Sequence, residues 1–175
     1  MTRSAMCAVV IAAISVAGCS GGSNHASSTS TSPSTSGPPT TEPTTEAALI
    51  AAVRTAIRND HRMSVRVLWT NKVPTRPRAT AGPALAVLRR SVAARARRGI
   101  RVRLLSERFR VVSIRLDPSY TRATAVVHDP QRVRPYGRDG RPLGRAVALN
   151  ERARLELRRV RSGMRFVVWK VTPIK

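Results

Sequence analysis

Apolar residues recur at helical spacing in two segments after residue 46. The first segment predicts an amphipathic helix over residues 47–61, because its aliphatic side chains share one helical face (Leu49, Ile50, Val53 and Ile57). The second predicts a helix from Pro83 to Gly99, since proline favours the first turn of a helix and glycine its end. Residues 63–70 fit either a strand or a continuation of the first helix, and residues 72–81 are predicted to form a loop.

After Gly99 the period of the apolar pattern changes to two. The alternation predicts strands near residues 102–104, 112–116, 123–127, 145–160 and 166–172, with a loop over 130–144 and a turn at Ser162-Gly163. In the second of these strands the alternating apolar residues are Val112, Ile114 and Leu116. Two helices followed by consecutive strands indicate an α+β domain, with both N-terminal helices on one face of an antiparallel sheet of four to five strands.

The first nineteen residues have the pattern of an export signal. Arg3 precedes the apolar stretch Ala5–Ala17, which ends in Val16-Ala17-Gly18-Cys19. This ending resembles the bacterial lipobox, which implies cleavage between Gly18 and Cys19, a diacylglycerol anchor on Cys19, and a location at the extracytoplasmic face of the cell membrane. An ordinary signal peptide with a chance cysteine is one alternative. An uncleaved anchor is another, but the apolar stretch is shorter than the 18 or more residues that a membrane span needs.

A low-complexity tether separates this signal from the rest of the chain. Between Ser20 and Thr45, 22 of 26 residues are Ser, Thr, Pro or Gly. Such a segment buries too little apolar surface to fold, and as a flexible coil it would reach about 30 Å. We therefore divide the chain into a signal peptide (1–18), a lipidated cysteine with its disordered tether (19–46) and a folded domain (47–175). That domain contains no cysteine.

The charge of the chain lies in its folded part. The sequence has 32 Lys+Arg and 9 Asp+Glu, a net charge of +23, and residues 47–175 hold 31 and 7 of these, or +24. Such a charge attracts anionic partners, and anionic lipid headgroups or wall polymers fit an exported protein. Export and the lack of aromatic residues in the basic stretches argue against nucleic acid. An arginine bias of a GC-rich genome is the competing explanation, since only three residues are lysine. The predicted anion-binding residues are Arg132, Arg134, Arg138, Arg141, Arg145, Arg152, Arg154 and Arg158.

Catalytic and cofactor motifs are absent from the sequence: there is no nucleophile elbow, zinc-protease motif, phosphate loop or dinucleotide fingerprint. We predict no cofactor and no metal. His61 and His128 each lie beside an aspartate, but neighbours in a strand face opposite ways and the sequence shows no third metal ligand. Glu151 is the candidate pocket acid, because strict alternation places it on the inward face with Ala153 and Leu155. A β-bulge or a buried salt bridge to arginine would explain Glu151 equally well.

Several local motifs resemble one family of proteins. They are the helix start Gly82-Pro83-Ala84-Leu85, the Val-Val-Ser strand 111–113, the strand 124–127, the turn Asp139-Gly140 and the pattern Gly-x-x-x-Val-x-Trp-x-Val over 163–171. Together they resemble actinobacterial lipoproteins that carry a nuclear transport factor 2-like domain. The resemblance covers residues 47–175 and implies a cone of curved antiparallel sheet wrapped by helices, a fold compatible with a homodimer. It implies no reaction, because most of these lipoproteins have no assigned activity.

Two functions are compatible with these observations. The first is a non-enzymatic, membrane-anchored module that binds an anionic envelope component or a partner protein. The second is a small-molecule binding or enzymatic cone that uses an internal cavity, with Glu151 as its acid. The first accounts for the lipobox, the tether and the charge, and we take it as the working prediction.

Overall fold

Two helices precede five strands in the computed structural model, which describes residues 45–160 and 164–174. The helices are α1 (Thr45–Thr70) and α2 (Gly82–Arg97). The strands are β1 (Arg101–Glu107), β2 (Arg110–Leu116), β3 (Arg122–Tyr136), β4 (Val147–Arg159) and β5 (Phe166–Pro173). The prediction of an α+β domain with two N-terminal helices on an antiparallel sheet is confirmed. The predicted signal peptide, the lipobox, the tether up to residue 44 and the turn at Ser162-Gly163 lie outside the described residues.

All strand pairs are antiparallel, in the order β1-β3-β4-β5, and β2 also pairs with β3. The two strands β2 and β1 share one edge of β3: β2 pairs with its residues up to His128 and β1 with those from Gln131 onwards. Pro130 lies between the part of β3 that pairs with β2 and the part that pairs with β1. Its missing N–H therefore removes no hydrogen bond from either of these two strand pairs. Its carbonyl oxygen accepts a hydrogen bond from the Arg108 N–H at 3.0 Å. The predicted loop over 130–144 is therefore wrong in its first part, because β3 continues to Tyr136.

The segment 63–70, for which the sequence left two alternatives, is helical and completes a helix of 26 residues. Val67 is fully buried there, so the apolar face of α1 continues beyond His61. Asn71 ends the helix in a left-handed conformation (φ 49°), which asparagine tolerates well. Its N–H donates to Val67 O at 3.0 Å and its side-chain amide donates to Ile100 O at 2.6 Å. The end of α1 is thereby fixed to the start of β1.

The predicted limits of α2 are confirmed. Pro83 occupies the first turn, where its missing N–H costs nothing. Gly99 has φ 69° and donates to Ala96 O at 3.0 Å, while the Ile100 N–H donates to Arg95 O at 3.0 Å. These two bonds are the usual way in which a glycine closes the C-terminus of a helix.

Three β-bulges interrupt the registers of the sheet, at Leu105 in β1, Val112 in β2 and Trp169 in β5. A bulge bends its strand and increases the local twist, so the sheet is curved. The predicted alternation of Val112 with Ile114 and Leu116 is broken by the bulge in β2, and Val112 is 57% exposed. Val111 faces the helices in its place, together with Ile114 and Leu116.

The core lies between the helices and one face of the sheet. It joins Leu49, Val53 and Ile57 of α1 to short and branched residues of β3, β4 and β5, with Phe166 as the largest fully buried side chain. Its described members all lie between Leu49 and Val168. A shortened chain that begins at Ser20 therefore contains all of them. Neither described helix is both long and apolar enough to cross a lipid bilayer.

Candidate functional site

The face of the sheet that points away from the helices is covered by basic side chains. Cross-strand partners share a face of a sheet, so the registers assign each residue to one side. We call the outward basic residues the arginine face: Arg101, Arg103, Arg110, Arg115, Arg122, Arg132, Arg134, Arg152, Arg154, Arg158 and Lys170. Glu156 is the one acidic residue assigned to this side in the described strands, and it is paired with Lys170 at 3.2 Å.

Like charges lie directly opposite one another on the arginine face. Arg103 is the cross-strand partner of Arg134, and Arg122 is the partner of Arg158. Such pairs are destabilising by about 0.2–1 kcal/mol each in a solvated sheet. The Arg158 guanidinium also lies over the Trp169 ring, 3.9 Å from its centre. The fold therefore concentrates positive charge at a cost to its own stability.

A shallow depression of about 520 Å³ lies on the arginine face between β2 and β4. Arg110 and Arg152 flank His128 there, because both are its cross-strand partners. The His128 Nε2 donates to Asn150 Oδ1 at 2.5 Å, which fixes the imidazole in this depression. The two arginine side chains on either side of His128 can donate hydrogen bonds to one phosphate or carboxylate.

The eight predicted anion-binding arginines are divided between two places. Five lie on the arginine face: Arg132, Arg134, Arg152, Arg154 and Arg158. The other three lie in the connection between β3 and β4. There, Arg138 donates to Ala96 O at 3.5 Å, Arg141 pairs with Asp139 at 3.6 Å, and Arg145 is exposed. The sequence reasoning missed the basic residues of β1 and β2, although they too alternate with apolar residues.

A second polar cluster lies on the helix-facing side of the sheet. His61 projects from α1 toward Glu107 at the end of β1 and Asp129 in β3. His61 Nε2 lies 2.7 Å from Glu107 Oε2, and His61 Nδ1 lies 3.9 Å from Asp129 Oδ2. The imidazole also stacks on the Phe109 ring, with 4.0 Å between ring centres and 14° between ring planes. The stacking and the hydrogen bond together fix the orientation of the imidazole.

Glu151 belongs to the edge of this second cluster. It is half-buried on the same side of β4 as Ala153, as predicted, and its cross-strand partner is Asp129. Burial, followed by the charge of Asp129, raises the pKa of Glu151. Burial also raises the pKa of Asp129, against the opposing effect of His61. Two carboxyl groups thus lie side by side in a partly desolvated place.

The sequence could not bring His61 together with these carboxylates, because α1 and β3 are far apart along the chain. One signal was available: Asp129 follows Ala123, Ala125 and Val127 at alternate positions, which marks it as inward-facing. The prediction that His128 and Asp129 face opposite ways agrees with the registers, which assign His128 to the arginine face. The sequence shows no third metal ligand beside His61 and Asp129. The structure places Glu107 there.

Beside this cluster, Asp60 accepts a short hydrogen bond from the Thr80 hydroxyl through its Oδ1. Burial raises the pKa of Asp60 to about 6, while Thr80 and the neighbouring His61 oppose that rise. Thr80 is itself buried, in the segment that leads into α2. This contact ties α1 to that segment.

The raised pKa of Asp60 predicts a loss of stability with rising pH. The folded chain holds this proton up to about pH 6 and the unfolded chain only to about pH 3.8, so the contribution falls between these values. Asp60→Asn keeps an acceptor for Thr80 and is expected to flatten this part of the pH dependence. Urea unfolding across that pH range, with a chelator present, measures it. A variant with the same pH dependence as the parent chain would contradict the assignment.

Comparison with known proteins supports the fold alone. No family model and no curated protein matches the chain in sequence. Among solved structures, the chain is similar to the intermembrane space region of the chloroplast protein ARC6, with a TM-score of 0.59 and 12% identity over 71% of this chain and 95% of that one. It also aligns with a structure from Catenulispora acidiphila at a TM-score of 0.38 and 19% identity, over 73% and 93% of the two chains. The first likeness accords with an α+β fold built on an antiparallel sheet.

Proposed function

We propose that the chain is a non-enzymatic binding module, anchored at the extracytoplasmic face of the cell membrane by a lipid on Cys19, whose arginine face binds anionic phospholipid headgroups. The observation that carries this proposal is the arginine face itself. It spans all five strands, ten of its eleven basic residues are exposed, and its single acid is ion-paired. At one edge the Arg101 guanidinium lies over the Trp69 ring of α1, 6.0 Å from the ring centre.

The chemistry of the face suits phosphate. A guanidinium group presents a planar set of donors that matches phosphate oxygens, and it stays charged at every physiological pH. Near an anionic bilayer each basic residue contributes about 1 kcal/mol of attraction. The depression around Arg110, His128 and Arg152 offers one place where a single headgroup phosphate would meet several donors at once.

Proximity favours lipid over wall polymers as the anionic partner. The lipobox ending at Cys19 and the tether over 19–46 would hold the domain within about 30 Å of a bilayer. At that distance the headgroups form the highest local concentration of phosphate. An extended basic face is also better suited to a surface of many headgroups than to one small anion.

Our proposal also includes the family of the folded domain. We infer that residues 47–175 form a nuclear transport factor 2-like domain, after a signal peptide cleaved between Gly18 and Cys19 and a disordered tether. The packing of both helices on one sheet face supports this inference, as do the three bulges that curve the sheet. The sequence motifs that resemble the family supply the rest of the support.

Sedimentation with vesicles tests lipid binding. The chain from Ser20 onwards, which lacks Cys19 and so cannot be acylated, is mixed with phosphatidylglycerol-containing vesicles or with neutral phosphatidylcholine vesicles at physiological ionic strength. We expect binding to the anionic vesicles only. The triple variant Arg110→Gln, Arg132→Gln and Arg154→Gln removes three charges from the arginine face, and we expect it to bind about 100-fold more weakly.

A second triple variant is the matched control. Arg54→Gln, Arg58→Gln and Arg62→Gln remove the same charge from exposed positions of α1. We expect this variant to bind anionic vesicles far more tightly than the arginine-face variant does. Equal weakening by both triples would show that only net charge matters. Equal binding to neutral and anionic vesicles, or binding to soluble polyphosphate with none to vesicles, would also overturn the proposal.

The second function considered from the sequence, an enzymatic or small-molecule binding cone, stays a prediction. Glu151 lines neither the depression on the arginine face nor the groove between α1 and residues 74–79. Homodimerisation through the sheet and the exclusion of nucleic acid also stay predictions.

A further inference from the structure

Among the described residues, no lysine or arginine is paired with the carboxylates near His61. The sequence contains 32 Lys+Arg, yet no lysine or arginine forms a salt bridge with Glu107, Asp129 or Glu151 within residues 45–160 and 164–174. His61 is the basic group that Glu107 and Asp129 face. Three acids therefore gather where no arginine reaches, in a domain whose other side is crowded with arginine.

One atom of the cluster is buried without any hydrogen-bond partner. Asp129 Oδ1 is shielded from solvent and receives no donor from the described residues, whereas Asp129 Oδ2 faces His61 Nδ1 at 3.9 Å. Buried carboxylate oxygens in folded proteins are nearly always satisfied, and an orphaned one points to a bound water or ion. The groups gathered near Asp129 include the carboxylates of Glu107 and Glu151, which also accept hydrogen bonds, so a cation would satisfy this cluster better than another acceptor.

The ligand atoms have the spacing and the chemistry of a metal site. One nitrogen of His61 and one oxygen each of Glu107 and Asp129 all lie within 4.8 Å of one another. These side chains come from α1, β1 and β3, so the sheet and the helix position them independently. Imidazole nitrogen combined with carboxylate oxygen belongs to the ligand set of zinc, and three protein ligands leave one position for water or another ligand. Glu107 is 39% exposed, which opens the cluster to ions from solvent.

We propose that His61, Glu107 and Asp129 form a binding site for a divalent transition-metal ion of the zinc class. The ion binds between the imidazole and the two carboxylates and replaces the direct hydrogen bond between His61 and Glu107. Any proton on the coordinating nitrogen is released to solvent when the ion binds. Glu151 lies beside Asp129 on the neighbouring strand and adds negative charge next to the ligands.

Isothermal titration calorimetry with Zn²⁺ tests the site. The chain from Ser20 onwards is treated with a chelator, dialysed and titrated with Zn²⁺ alone. We expect one ion per chain at this site, and we expect Glu107→Gln and Asp129→Asn each to weaken binding by at least about tenfold. Thermal unfolding is the second readout. Zn²⁺ is expected to raise the melting temperature of the parent chain and to leave that of Asp129→Asn nearly unchanged.

Two control variants use groups of the same chemistry on the other side of the sheet. His128→Ala removes a histidine of the arginine face, and Glu156→Gln removes a carboxylate there; both should bind Zn²⁺ like the parent chain. Circular dichroism of the chelated variants checks that each is folded. The absence of Zn²⁺ binding, or binding that survives both ligand variants, would overturn the proposal. Because the two sites lie on opposite faces, loss of lipid binding in the vesicle experiment would leave this result unaffected.

Discussion

Replacing Phe166 with alanine is expected to lower the free energy of unfolding by about 3–5 kcal/mol. Phe166 begins β5, is 1% exposed and is the largest fully buried side chain of the core. Its removal costs the transfer free energy of the ring and leaves a cavity between α1 and the sheet that the surrounding side chains cannot fill completely. Equilibrium unfolding in urea, followed by circular dichroism, measures the loss.

Met164→Ala is the matched control for Phe166→Ala. Met164 lies two residues before Phe166, in the connection between β4 and β5, and is 52% exposed. Its truncation is expected to change the free energy of unfolding by less than about 0.5 kcal/mol. Similar losses in the two variants would mean that the core does not close around Phe166 as described.

Replacing Gly82 with alanine is expected to lower the free energy of unfolding by about 2–4 kcal/mol. Gly82 has φ 53°, a conformation that strains any residue with a Cβ atom. The new Cβ would also lie 2.7 Å from Trp169 Cε3, well inside contact distance. The Arg158 guanidinium lies over the Trp169 ring, 3.9 Å from its centre, so a shift of the ring would also disturb this contact. Urea unfolding again provides the measurement.

Gly140→Ala separates backbone strain from the steric clash. Gly140 has φ 78°, and apart from Gly140 and its two neighbours in the chain no atom of residues 45–160 and 164–174 lies within 4 Å of the position that a Cβ would take. This variant should therefore show only the conformational cost, about 1 kcal/mol. Equal destabilisation of the two variants would show that Trp169 makes no close contact with Gly82.

Hydrophobic periodicity is sufficient to predict most of the fold. The two periods separate the helices from the strands, and Pro83 and Gly99 mark the limits of α2 because each has a strong local backbone preference. Residues 63–70 are ambiguous in sequence because Val65, Val67 and Trp69 also alternate. The helical conformation buries Val67 completely in the tertiary structure, and this packing favours the helix over a strand.

The errors in the strands have long-range causes. Pro130 signals a loop locally, and only the pairing of β3 with two successive neighbours makes a strand acceptable there. The bulge at Val112 shifts the alternation by one residue, and a bulge leaves no unambiguous mark in a single sequence. The first error concerns which strands become neighbours and the second concerns the register between two neighbours, and the local pattern of residues contains neither kind of information.

The two candidate sites differ in how far the sequence predicts them. The basic charge is evident from composition, and the alternation of β4 already places Arg152, Arg154 and Arg158 on one side. The cluster around His61 requires the helix to cross the sheet at one particular place. Only the tertiary fold brings His61 to Glu107 and Asp129, so sequence spacing could not have revealed it.

The opposed arginines of the sheet give the domain a thermodynamic linkage between folding and docking. In the unfolded chain Arg103 is far from Arg134 and Arg122 is far from Arg158, so their repulsion belongs to the folded state. An anion that binds only the folded sheet relieves this repulsion and stabilises the fold by mass action. Dissolved salt screens the same charges, which favours the free folded domain but weakens its attraction to a surface. Ionic strength therefore acts in opposite directions on the stability of the fold and on its affinity for a membrane.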